Sequence, residues 1–484
     1  MLTLIVFLPL VGAVLCALLP KDRPTWPRAV AAAVTAIDLA LVSWVVYTFE
    51  PGGGFQFVEK VAWVPAVDIN YTLAVDGISL PLLFLSALLS FLAVIASFKV
   101  DNKPSFYFAM LLLLQVGMNG VFIALDFVLF YVFWELVLVP MYFLIAQWGG
   151  DRREYASIKF FLYTLLGSVF MLVGIIALYL KTGSFDMVRL ALIGGMLPAG
   201  FQWWLFLAFF LGFAVKVPMF PLHTWLPDAH VEAPTAASVL LAGVLLKMGT
   251  YGFLRVSLPM LPDAFASWRW FLAVLAMFSI LYGAIVAFAQ TDLKKLVAYS
   301  SVSHMGFAML GISAGTAIGI NGAMAVNFSH GLTTGLLFFL VGMIYERAHT
   351  REIAKISGVA GQMPVLAGIL AFSAFASMGL PGLSGFVGEF LSLLGAWQSD
   401  LARWVVIASG LGVLFGAAYI LWMIQRVVLG QPSHVIADAP DASPRELFLA
   451  GPLVFLTIAV GLNWNLLLQY TDPAARLLAR IVGV

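Results

Sequence analysis

Stretches of about twenty consecutive apolar residues recur from one end of this chain to the other, and they dictate what it can fold into. A helix rises ~1.5 Å per residue, so twenty residues match the ~30 Å hydrocarbon core of a bilayer. Of the 484 residues, 62% are hydrophobic and only 10% are charged. An average soluble domain carries about 25% charged residues. A membrane β-barrel would show short alternating segments instead. The pattern predicts an all-α polytopic membrane protein whose solvent is the lipid bilayer.

Fourteen spans are expected, near 1–19, 28–49, 76–98, 105–123, 127–147, 156–180, 201–229, 234–256, 268–289, 295–313, 317–345, 363–398, 403–427 and 446–469. Met1 to Leu19 lacks a basic leader, and Lys21, Arg23 and Arg28 follow the first run. Positive residues stay inside, so the N-terminus is expected outside. On that assignment the inner loops collect Lys99, Lys103, Arg152, Arg153, Lys294, Lys295, Arg347 and Arg351, and the outer side carries fewer, Arg255 among them. Both termini would then face the outer, periplasmic side of a bacterial inner membrane. An organelle-encoded chain would look the same.

The formal net charge of +1 implies no nucleic-acid partner. Cys16 is the single cysteine, so neither an intrachain disulfide nor Cys-based iron–sulfur ligation by this chain alone is expected. There is no nucleotide loop, dinucleotide fingerprint or zinc spacing to place NADH, ATP or a metal here.

The seventh and twelfth spans are too long for a simple crossing and carry breakers near the middle. The seventh contains Lys216-Val-Pro218-Met-Phe-Pro221-Leu-His223, and the twelfth Gly379-Leu-Pro381-Gly382-Leu-Ser384-Gly385-Phe-Val-Gly388-Glu389. Each proline removes a backbone donor, freeing the carbonyls of Ala214, Val217 and Ser377. Open backbone at membrane depth survives only against protein or a wet cavity. Five spans separate the two breaks. An odd number reverses direction, as in inverted-repeat transporters whose site lies at the breaks. The expected organisation is residues 1–104 with spans one to three, 105–256 as a first five-helix repeat, 268–427 as a second, inverted repeat, and 446–484 as the last span and tail.

Ionisable groups at membrane depth are costly and mark function. Glu135 lies about eight residues into the fifth span, Lys216 at the first break, Lys247 mid-span in the eighth and Glu389 just after the second break. Carboxylate and ammonium together favour each other's charged form, so a Glu–Lys pair responds to a nearby proton or charge. Glu135 is expected to pair with Lys216, with Lys247 as the next station. A structural ion pair that fixes helix register would use the same residues. His304 follows Ser300 by one turn, and Asn327, His330 and Thr334 share a helix face. Histidine relays protons near neutral pH, although a histidine hydrogen-bonded across a helix interface reads the same way. Asp38 and Asp76 read as packing or interface groups, Asp228 and His230 as caps or loop lining, and Lys294, Lys295 and Glu346 to Lys355 as inner surface charges.

Five stretches are highly specific: FWELVLVPMY from Phe133, KVPMFPLHTWLPDAHVEAPTAASVLLAGVLLKMGTYG from Lys216, TDLKKLVAYSSVSHMGF from Thr291, NFSHGLTTGLLFF from Asn327 and GLPGLSGFVGEF from Gly379. Together they resemble the antiporter-like subunits of proton-pumping NADH:quinone oxidoreductase, respiratory complex I. The M-type chain, equivalent to mitochondrial subunit 4, is the most similar class. The resemblance implies fourteen core helices in two inverted units. It places the family's proton-relay positions on Glu135, Lys216, Lys247, His304, His330 and Glu389. Glutamate at the last position, typically lysine in the L- and N-type chains, favours the M-type, as does the stop at Val484 without a long lateral helix. The implied role is one proton channel in the membrane arm, beside other antiporter-like chains. FMN, iron–sulfur clusters and quinone would belong to partner subunits, with no redox centre here. The alternatives are a subunit of a multi-chain sodium/proton antiporter, which shares these motifs, and a non-conducting membrane scaffold.

Overall fold

The computed structural model describes residues 1–20 and 23–483. Lys21 and Val484, named above, lie outside the described residues.

The chain runs through α1 (Leu2–Leu18), α2 (Thr25–Thr48), a hairpin of β1 (Gln56–Val64) and β2 (Ile69–Val75), then α3 (Ser79–Lys99), α4 (Pro104–Ile123), α5 (Phe127–Trp148) and α6 (Arg153–Thr182). It continues as α7 (Met187–Met196), α8 (Ala199–Lys216), α9 (Trp225–Glu232), α10 (Thr235–Met260), α11 (Pro262–Phe288), α12 (Leu293–Ala314) and α13 (Ala317–Ala348). The last elements are α14 (Pro364–Ser377), α15 (Ser384–Gln398), α16 (Arg403–Val428), α17 (Pro444–Leu462) and α18 (Asn465–Ile481). Twelve helices among the described residues are long and apolar enough to cross a membrane. The expected count of fourteen is not reached by length alone. The first helix has 17 residues, and the twelfth expected span is cut into pieces of 14 and 15.

Both breaks fall where proline and glycine place them. At the first, α8 stops at Lys216. The freed Ala214 carbonyl accepts from Met219 N at 3.0 Å, and the Val215 carbonyl from the Trp225 indole at 3.0 Å. At the second, Gly379 and Gly382 take φ of +77° and +92°, a region L side chains rarely adopt. Burial grades outward from a centre: α10 and α12 are almost wholly enclosed, whereas α6 and α16 leave much apolar surface to lipid.

Three elements depart from the expectation. The hairpin pairs Glu59 with Leu73 and Val61 with Tyr71, and its turn is closed by Asp68 at φ +54°. The short α7 follows α6. The last expected span ends early, at Leu462, because the chain turns at Asn463, and α18 follows as a separate helix. The hairpin, Met1 and α18 share one end of the bundle. The Met1 ammonium pairs with Glu59, and Tyr470 of α18 packs edge-on against Phe49. At the opposite end lie the pairs Lys99–Glu346, Lys159–Asp228 and Arg347–Glu446.

Candidate functional site

Glu135, half-buried on α5, has a buried Oε1 with no hydrogen-bond partner among the described residues. Tyr131, Ser168 and Lys216 are the neighbours that act on it electrostatically or by hydrogen bonding. Lys216 ends α8 and is 1% exposed. Its Nζ also has no hydrogen-bond partner among the described residues, and lies 5.5 Å from the Trp134 ring centre and 5.9 Å from that of Phe160. The expected direct Glu135–Lys216 pair is therefore corrected: the two charges are not within the 4.0 Å of an ion pair. Two aromatic faces hold the ammonium instead, an attraction worth about 2 kcal/mol when desolvated.

The path resumes on α10, which crosses α8 closely. A Cβ at Gly249 would lie 2.7 Å from the Phe213 carbonyl. Lys247 follows a π-helical turn, Leu241–Leu245, of the kind that often marks functional positions. Its Nζ donates to the Ala242 carbonyl and lies 2.7 Å from His330 Nδ1. The expected polar face of α13 is also engaged, since Thr250 donates to Asn327 Oδ1 at 2.9 Å. The His330 and His304 rings meet edge to face, 5.7 Å apart. His304 Nδ1 lies 2.9 Å from Glu389 Oε1, and its Nε2 is 3.1 Å from Ser377 Oγ and 3.4 Å from the Tyr419 hydroxyl.

Between these groups lies a cavity of about 10 Å³, lined by His304, Ser329, His330, Thr333, Ser377 and Glu389. That is about the volume one water molecule needs. Hydrogen-bonded groups thus run from Lys247 to His330 and again from His304 to Glu389, and the cavity separates the two sets, with His330 Nε2 unpartnered among the described residues.

A family model described as the NADH:quinone oxidoreductase/Mrp antiporter transmembrane family matches residues 124–416. The chain belongs to this family. A second model, described as the amino terminus of NADH-ubiquinone oxidoreductase chain 4, matches residues 1–121. NADH-quinone oxidoreductase subunit M of Rhodobacter capsulatus is 44% identical, over 98% of this chain and 95% of its own. NAD(P)H-quinone oxidoreductase chain 4 of a Nostoc species is 43% identical, over 97% of this chain and 89% of its own. Among solved structures, a chain of respiratory complex I from Thermus thermophilus with bound NADH superposes with a TM-score of 0.91 at 33% identity, covering 100% of each chain. A chain of the Mrp complex from a Dietzia species, 24% identical, shares the fold (TM-score 0.87) over 98% of this chain and 52% of its own.

Within this family fold, three residues read as peripheral in the sequence are interior. His230 neither caps nor lines a loop. It is fully buried, stacks on Phe338 with ring centres 4.4 Å apart, and leaves both nitrogens without partners among the described residues. Lys247, Lys294 and His330 are its charged or titratable neighbours. Lys294 is buried rather than a surface charge, and its Nζ donates to the Ala233 carbonyl at 2.5 Å. Arg255, counted with the outer loops, is buried against Asp76 at 2.5 Å. The sequence signal for His230 was its spacing of seven residues from His223, two turns along the segment after the first break. Pro227 and Pro234 hid it by making the segment look like a loop.

Proposed function

We propose that this chain is a proton-translocating membrane-arm subunit of NADH:quinone oxidoreductase, and that Glu135, Lys216, Lys247, His330, His304 and Glu389 are its relay. The observation that carries the reading is the contact of Lys247 with His330, continued through His304 to Glu389. A lysine without a carboxylate partner, held by a carbonyl and an imidazole, can pass a proton to that imidazole at little geometric cost. Glu389 then takes it across the His304 ring. His230, beside Lys247, joins the same interior group.

Two inverted units, 105–256 and 268–427, organise the relay in this proposal. Their support is a repeated local structure. Asp126 caps α5 through Val128 N and Leu129 N and forms an isolated β-bridge with Asp186. Asp292 caps α12 through Lys294 N and Lys295 N and bridges Glu352 in the same way. Asp126 and Asp292 are separated by the same number of residues as Asp186 and Glu352. The last helix of each unit also ends near a π-helical turn, Phe253–Ser257 and Ile424–Val428.

In this assignment the neighbours are the other membrane-arm subunits, with antiporter-like chains on either side, and FMN, iron–sulfur clusters and quinone belong to other subunits of the complex. The membrane is a bacterial inner membrane, with both termini outside. Inner-membrane vesicles carrying His330→Ala, with the complex verified on a native gel, test it. Loss of both NADH-to-quinone turnover and proton uptake is expected. Unchanged NADH oxidation with sodium/proton exchange lost would favour the antiporter. No change in either would make His330 structural.

A further inference from the structure

The first four helices enclose a second polar cluster that shares no residue with the relay. Asp38 of α2 is fully buried. Its Oδ2 accepts from Gln115 Nε2 at 2.7 Å and from Asn119 Nδ2 at 3.1 Å, both on α4. Asn119 also accepts from Ser86 of α3 at 2.7 Å and donates to the Ile5 carbonyl of α1 at 3.3 Å. All four helices are therefore tied together around one carboxyl group.

No cation among the described residues hydrogen-bonds to or ion-pairs with Asp38, although a buried carboxylate without one is strongly disfavoured. Two buried oxygens of the cluster have no hydrogen-bond partner among the described residues. They are Asp38 Oδ1 and Gln115 Oε1, the remaining oxygens of two planar groups already joined by one hydrogen bond. Both are acceptors as long as the carboxyl is ionised. A single proton on Oδ1 converts one of them into a donor for the other. The acid and the amide then form a cyclic pair with two parallel hydrogen bonds, and the uncompensated charge disappears.

We propose that Asp38 is a proton-binding site outside the relay, holding its proton on Oδ1 and donating it to Gln115 Oε1. A metal cation fits the cluster poorly. Both amides aim their N–H groups at the carboxyl, leaving only two free oxygens, whereas hard cations such as calcium collect six or more. The bound proton is also insulated. Between the cluster and the Lys247–His330 contact, α3 packs Leu85 against Gly331 and Leu89 against Gly243, so apolar side chains close the approach from that side. Asp38 is thus a neutral pin for the first four helices, not a station for the moving proton.

Infrared spectroscopy of the assembled complex in membranes tests this. The parent should show the stretch of a non-ionised carboxylic acid, and Asp38→Asn should lack it while keeping assembly and parental turnover, because asparagine reproduces the neutral acid's hydrogen bonds. If Asp38→Asn fails to assemble, Gln115→Leu serves instead. It should keep the band and shift it to the position of an acid without an acceptor. The proposal is overturned if Asp38→Asn removes a carboxylate stretch instead, if Gln115→Leu leaves the band in place, or if adding sodium chloride abolishes it.

Discussion

At the first break the Lys216 ammonium lies between the rings of Trp134 and Phe160 with no hydrogen-bond partner among the described residues, whereas at the second the Glu389 carboxylate is bonded to His304, which is held in turn by Ser377 and Tyr419. Proline or glycine interrupts the helix in both places. The first break places its charge in an apolar aromatic setting, where distant neighbours decide its state. The second surrounds its charge with groups that can exchange protons. In the proposed relay a broken helix therefore serves two tasks, holding a charge that other groups must bias and passing a proton between fixed partners.

The largest effects should come from removing the charges themselves. Lys216→Met and Glu389→Gln should each lower proton translocation in vesicles on the order of 10²-fold, the scale of a lost proton-transfer group. Parental pumping in Lys216→Met would confine the relay to the second break. Stability should then separate the two regions. Glu389→Leu strands the His304 N–H and should cost about 1–3 kcal/mol, whereas Lys216→Met breaks no hydrogen bond and trades an aromatic attraction of about 2 kcal/mol for relief of a buried charge, so it should cost less. Thermal unfolding of the complex measures both, and equal losses would break the comparison. Ser377→Ala removes one contact to His304 and should cost about 1 kcal/mol. It should slow turnover only a few-fold, as steady-state assays can verify.

The smallest effect lies outside both breaks. Partial burial pushes the Glu59 carboxyl up, but the Met1 ammonium, the Thr3 hydroxyl and the Thr3 backbone amide pull it further down, to about 2 from an ordinary 4.5. A lowered folded-state value stabilises above the ordinary value, and that contribution is lost as pH falls through the folded one. Relative to the intrinsic rates of unprotected amides, hydrogen exchange at residues 2–5 should therefore be unchanged above pH 4.5 and accelerate as pH falls toward about 2. Acceleration of equal size in Glu59→Gln would remove Glu59 as the cause.

Much of this architecture was legible in the chain. Apolar runs located the spans because lipid leaves backbone polar groups no other partners. Pro218, Pro221, Gly379 and Pro381 located the breaks, and the charges within the apolar runs marked the residues proposed as the relay. What escaped depends on contacts distant in sequence. The hairpin is anchored by Asp126, whose Oδ2 accepts from Asn70 N at 2.9 Å, and nothing near residues 56–75 signals this. The strongly amphipathic α18 was read as a tail because Asn463 and Pro473 interrupt its pattern. Glu135 and Lys216 act on each other electrostatically without touching, for a related reason. Opposite charges near one another in an apolar region suggest contact, but the rings of Trp134 and Phe160 occupy the space around the ammonium.

The cavity between the two histidines also bears on selectivity. A volume of about 10 Å³ accommodates one water molecule but not a metal ion carrying even part of its hydration shell. A proton needs no such room, because it passes by exchange of bonds while every heavy atom stays in place. If the proposed relay runs through this cavity, its size favours a proton over a hydrated sodium ion of the same charge.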